Sequence, residues 1–97
     1  MRWLALAQAR RYERDQERVP AGDAEVMHYH NEARQFFYIL EGEGTMVFED
    51  REVALNKGDG IEIEPRVKHQ FRNRSSLDVH FLVMSVPSTR GDRVNIP

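Results

Sequence analysis

Cysteine is absent from the 97 residues, which excludes disulfide staples, thiolate metal ligands and cysteine nucleophiles. The chain also lacks a dominant charge. Fourteen Lys and Arg stand against 16 Asp and Glu, a formal net charge of −2, so no global field draws it onto nucleic acid or an acidic membrane. Long hydrophobic runs are missing as well. No stretch approaches the ~20 apolar residues of a membrane span, and Met1-Arg2-Trp3-Leu4-Ala5-Leu6-Ala7 reaches Gln8 before a secretory h-region can form. Glycine and proline are few, six and four, and neither low complexity nor an internal repeat is visible. What remains is 40% hydrophobic and 31% charged, the composition of a globular chain with a real core. The expectation is a soluble, cytoplasmic single domain over residues 1–97, since two independent cores would each be too small to fold alone.

The hydrophobic period from about residue 24 onward is two, with turn residues between short segments, as an all-β sandwich or barrel requires. Residues 24–30 alternate, which places Val26, His28 and His30 on one face and Glu25, Met27 and Tyr29 on the other. Residues 35–41 form a second expected strand, ended by Gly42 and Gly44, and residues 45–48 a third. Glu49-Asp50-Arg51-Glu52 reads as a hairpin turn into Val53-Ala54-Leu55, and Asn56-Lys57-Gly58-Asp59-Gly60 is the strongest turn signal in the chain. Further strands follow at 61–63, from His69 through Phe71 to Asn73 on one face, and at 78–84. The polar tail from Pro87 to Pro97 reads as irregular. The first twenty residues fit either a short helix or an edge strand, and strand is the reading taken here. Phe36-Phe37-Tyr38-Ile39-Leu40 and Val79-His80-Phe81-Leu82-Val83-Met84 are apolar on both faces, so their outer faces need a cover. Either a second sheet of the same domain or a second copy of the chain supplies one, and a homodimer is the reading taken here.

His28 and His30 stand at i and i+2 on one strand, so their rings point the same way about 6.5–7 Å apart, a spacing at which two imidazoles can share one ion. His69, after the Gly-Asp-Gly turn and a loop limited by Pro65, is placed to join them from a distant strand. The remaining candidates read differently. Glu32 falls in a turn; Glu62 and Glu64 alternate outward against Ile61 and Ile63; His80 opposes Val79 and Phe81 and reads as structural or interfacial. Arg66, Lys68, Arg72 and Arg74 make a basic cluster that reads as a solvated rim, or, if one points into the site, as a contact for an anionic substrate.

As one string, Gly22 is followed after five residues by His28, then after one by His30, after four by Gln35 and after six by Gly42. A second block holds Gly58-Asp59, Pro65 and His69, with Asn73 three residues further on. The two blocks, at 22–42 and 58–73, resemble the two signature motifs of the cupin superfamily, and the whole resembles a small single-domain cupin. That resemblance implies an antiparallel jelly-roll β-barrel with one divalent transition-metal ion inside, held by His28, His30 and His69 and by a carboxylate. The carboxylate position is Gln35 here, and motif-two positions often held by Pro and Gly are Glu64 and Arg66. An amide oxygen brings no negative charge, so a hard cation is held less tightly and keeps more Lewis acidity. Gln35 either ligates through that oxygen or hydrogen-bonds a metal-bound water.

Imidazole and amide ligands suit Fe, Mn, Ni, Co, Cu or Zn alike. The resemblance implies a metal-dependent enzyme acting on a small metabolite, anionic or sugar-like, of dioxygenase, isomerase or lyase type. The alternative is a non-enzymatic, metal-dependent module that binds a small ligand or partner. No general base stands out beyond Tyr29, Tyr38, Glu62 or Glu64. Nucleic acid and membrane are not expected partners.

Overall fold

The computed structural model describes residues 13–97, and every regular element among them is a strand. The strands are β1 (Glu13–Val19), β2 (His28–Tyr29), β3 (Arg34–Glu41), β4 (Glu43–Phe48), β5 (Glu52–Asn56), β6 (Gly60–Ile63), β7 (His69–Arg72), β8 (Val79–Val86) and β9 (Val94–Asn95). They form two antiparallel sheets, ordered β1-β8-β3-β6 and β5-β4-β7-β2-β9. This is the jelly roll of the cupin fold. Residues 1–12 lie outside the described part, and with them most of the segment read as helix or strand; Glu13–Val19 of it is an edge strand.

Alternation in β3 and β8 decides what faces the interior. Phe37, Ile39, Val79, Phe81 and Val83 are buried, and they meet Met46, Phe48, Leu55 and Phe71 from the other sheet. Phe37, Phe71 and Phe81 form an aromatic centre with ring centroids 4.6–6.1 Å apart. Gly44 is required there, because a Cβ on it would lie 2.3 Å from the Phe71 ring. Asn73 is fully buried: its Nδ2 donates to the Val19 and Leu77 carbonyls (3.0 and 2.7 Å), and its Oδ1 accepts from Ser75 N and Oγ. It ties the end of β1 to the turn before β8. With every polar atom used internally, its motif role is structural.

Two expectations need correction. Residues 24–30 do not make one continuous strand: only His28–Tyr29 is regular, and Ala24 makes an isolated bridge to Arg72. The alternation therefore fails before His28, and Val26 is exposed rather than beside the histidines. The tail is not wholly irregular. Val94–Asn95 adds to β2, with His28 opposite Asn95, and Ile96 N donates to the Met27 carbonyl (2.8 Å).

A candidate metal centre between the sheets

Antiparallel pairing puts His28 directly opposite His69. Their ring centroids are 4.4 Å apart, and His30, one residue beyond β2, brings its own to 5.1 Å from His28 and 5.9 Å from His69. All three are buried, and one nitrogen from each lies within 4.8 Å of the others, so together they could hold a metal ion.

Backbone carbonyls settle which nitrogen carries each proton. His28 Nδ1 meets the Val26 carbonyl (2.7 Å), His69 Nδ1 the Val67 carbonyl (2.8 Å), and His30 Nδ1 the Asp92 carbonyl. A carbonyl can only accept, so each Nδ1 is a protonated nitrogen, which leaves Nε2 as the nitrogen of each ring that can offer a lone pair. Burial above all holds both His28 and His69 down to a pKa of about 4, so at neutral pH these are uncharged donors. His30 Nε2 is buried with no hydrogen-bond partner among the described residues. Gln35 Oε1, another lone-pair donor, stands 3.2 Å from His69 Nε2, while Gln35 Nε2 donates to Ser85 Oγ (3.2 Å). A divalent cation fits a donor set of three ring nitrogens with an amide oxygen beside them, and it would give the buried His30 Nε2 the partner that atom lacks among the described residues.

The second sheet supplies a wall. Residues paired across antiparallel strands share a face, so Glu13, Asp15 and Glu17 of β1 lie on the same side of the sheet as their partners Ser85, Val83 and Phe81, with Asp15 and Glu17 exposed at the edge. With Glu25, Thr89 and Arg93 they line a cavity of about 120 Å³ that contains His28, His30 and Gln35. Glu25 was expected to face away; the irregular backbone from 24 to 27 turns it inward instead. Its Oε1 is buried with no partner among the described residues, and burial, reinforced by Glu17, pushes its carboxyl up to about 7.

The tail holds this arrangement shut. Asp92 accepts hydrogen bonds from the backbone N–H groups of Asn31 (2.7 Å), Glu32 and Ala33 (3.0 Å each), which pins the turn after His30 while its own carbonyl takes the His30 Nδ1 proton. Thr89 donates twice to Glu13. Arg66 N donates to the His30 carbonyl from a backbone at φ 69°, a left-handed conformation that explains why glycine often stands at this motif position.

Other readings from the sequence fall outside the cavity lining. Glu62 pairs with Arg34, Glu64 is exposed beside the same guanidinium, Tyr38 is 40% exposed, and Tyr29 is absent from the lining. The rim cluster does not enter: Lys68 pairs with Glu49 and Arg74 with Glu52. The guanidinium in the cavity wall is that of Arg93.

Comparison with known proteins agrees with this architecture. A cupin-domain family model matches residues 16–85. An uncharacterized protein of Methanocaldococcus jannaschii is 33% identical over 69 residues, which span 71% of this chain and 55% of that one. The quercetin 2,3-dioxygenase of Bacillus subtilis is 38% identical over 65 residues, 67% of this chain and 18% of the enzyme. Among solved structures, a sugar phosphate isomerase of the cupin superfamily from Silicibacter pomeroyi superposes with a TM-score of 0.75 at 25% identity, over 84% of this chain and 54% of that one. The chain thus spans about half the length, or less, of the relatives it matches. Because the matched segment takes in both sheets and all three convergent histidines, this chain belongs to the cupin family.

Proposed function

We propose that His28, His30 and His69, joined by Gln35, hold one divalent transition-metal ion, and that the chain is a metal-dependent enzyme acting on a small molecule bound in the adjoining cavity. One observation carries the reading: three buried imidazoles, each with its Nδ1 proton committed to a carbonyl, bring one ring nitrogen apiece within 4.8 Å of the others. When bound, such an ion polarises an oxygen of the ligand as a Lewis acid. The protein's part is to hold that oxygen in a small space and move a proton. Glu25 is the group for this: a buried carboxyl with a pKa of about 7 divides its time between acid and base near neutrality. Gln35, being neutral, leaves the ion's charge undiminished.

The dioxygenase and the isomerase among the similar proteins support an enzyme over a purely structural protein. The partly exposed outer face of β3 and β8, with Tyr38, Leu82 and Met84, supports homodimerisation through that face. The test is elemental analysis of purified wild type and His69→Ala. The proposal expects one equivalent of a divalent transition metal in the first and a loss of most of it in the second, because two imidazoles bind too weakly to resist dialysis. Full stoichiometry in His69→Ala removes that histidine from the site.

A further inference from the structure

The charges around the cavity go beyond the metal and bear on what it can admit. Four carboxylates line it, Glu13, Asp15, Glu17 and Glu25, against the single guanidinium of Arg93. Glu13 is engaged by Ser88 and Thr89, whereas Asp15 and Glu17 take part in no ion pair among the described residues. Arg93 is partly spent, its Nε donating to Asn95 Oδ1 (2.8 Å). A divalent ion and Arg93 together bring three positive charges, which Glu13, Asp15 and Glu17 balance before Glu25 is counted. The wall does not stand alone as a sign of a ligand, because His30, only 4% exposed, aims an unpartnered Nε2 into the same cavity. Asp15 and Glu17, both exposed, belong to an edge strand whose pairing of Asp15 with Val83 and Glu17 with Phe81 sets them on the cavity's side of the sheet, at its mouth.

We infer that this cavity selects a neutral or cationic ligand rich in hydroxyl or ammonium donors and disfavours dianions such as dicarboxylates and phosphate esters. The inference rests on the metal reading above and narrows its substrate class. Carboxylates accept from O–H and N–H donors, which gives a polyol or an amine several acceptors at once. An anion approaching the ion passes the same acids and is repelled by each, with a strength that falls as salt screens it. The narrow space, about 120 Å³, limits the seated part of the ligand to a few heavy atoms. The sequence reading of an anionic substrate relied on the basic rim cluster, whose members do not line this cavity; the phosphate of a sugar phosphate finds only Arg93 here.

The experiment uses cobalt-loaded protein, with oxalate as the anionic probe and imidazole as the neutral one, read by the cobalt absorption spectrum and by calorimetry. Wild type is compared with the double variant Asp15→Asn, Glu17→Gln. Removal of two negative charges is expected to tighten oxalate binding about tenfold at low salt while imidazole affinity changes less than about twofold. In wild type alone, which needs no variant to fold, oxalate affinity should hold or rise as ionic strength increases. Oxalate affinity that falls steeply with salt, or that is the same in wild type and variant, overturns the inference and leaves the metal site standing. Failure of wild type to bind cobalt at all overturns the metal reading and the inference with it.

Discussion

Asp92→Ala is the substitution whose consequence the structure specifies most fully. The carboxylate accepts from three successive backbone amides, Asn31, Glu32 and Ala33, and its residue's carbonyl accepts from His30 Nδ1. Hydrogen bonds to a charged group contribute about 1.5–3 kcal/mol each when water cannot replace them. Asn31 and Glu32 are exposed and recover water, while Ala33 is only 2% exposed and does not. One of the three bonds therefore dominates, and the expected loss of stability is about 1.5–3 kcal/mol rather than three times that. The turn it pins is the one that leaves His30, so metal affinity should drop as well, by the ~10–100-fold typical of losing a group that orients a ligand. Burial raises the Asp92 carboxyl, but the hydrogen bonds from the Glu32, Asn31 and Ala33 amides outweigh it and its pKa lies below the ordinary value. Its contribution is thus present above the unfolded-state pKa and is lost as pH falls through the lower folded value. Urea unfolding at neutral and acid pH and chelator competition measure both effects. A change under about 0.5 kcal/mol with unaltered metal affinity would refute the reasoning that the tail braces the site.

Gln35→Glu adds a negative charge at an oxygen 3.2 Å from His69 Nε2 and should tighten metal binding, measured by chelator competition, while activity that depends on Lewis acidity falls; equal affinities would put Gln35 outside the coordination sphere. In metal-free protein, His28 and His69 keep folded pKa values of about 4 against an ordinary 6.5. Between those limits the unfolded chain takes up protons the folded one refuses, and stability falls as pH drops, by about 1.4 kcal/mol per pH unit for each histidine. Glu25, raised to about 7 from an ordinary 4.5, acts in the opposite sense over most of that window, so the net expected slope is that of roughly one histidine; a flat profile from pH 6.5 to 4.5 in chemical denaturation contradicts this. Sedimentation should find a dimer at micromolar concentration, and an 11.4 kDa species would argue that the β3–β8 face is not an interface.

Much of the site was legible because its residues obey the strand period. His28 and His30 share a parity, His69 follows a strong turn, and the buried positions of β3, β4, β7 and β8 alternate as the strand period requires. What escaped lay where no period applies. Glu25 sits three residues before His28, in an irregular approach to β2, so counting alternate residues backward from His28 assigns it to the wrong face. Asp92 and Arg93 belong to a polar tail whose only strand is two residues long, too short to leave a pattern, and Asp92 acts through contacts with residues about sixty positions away. The cavity-side acids of β1 were hidden by composition, since a strand of alternating charge reads as solvent-facing until its pairing with Val79–Ser85 is known.

The central claim is that three imidazoles, each protonated on Nδ1, present Nε2 to one cation. Long-range nitrogen–proton correlation spectra of protein labelled with ¹⁵N-histidine read the tautomer of each ring directly. The account predicts that at neutral pH in metal-free protein His28, His30 and His69 all carry the proton on Nδ1, and that one equivalent of Zn²⁺ shifts all three Nε2 resonances together and leaves His80 unchanged. A proton on Nε2 of any of the three, or Zn²⁺ addition that moves none of them, would contradict it.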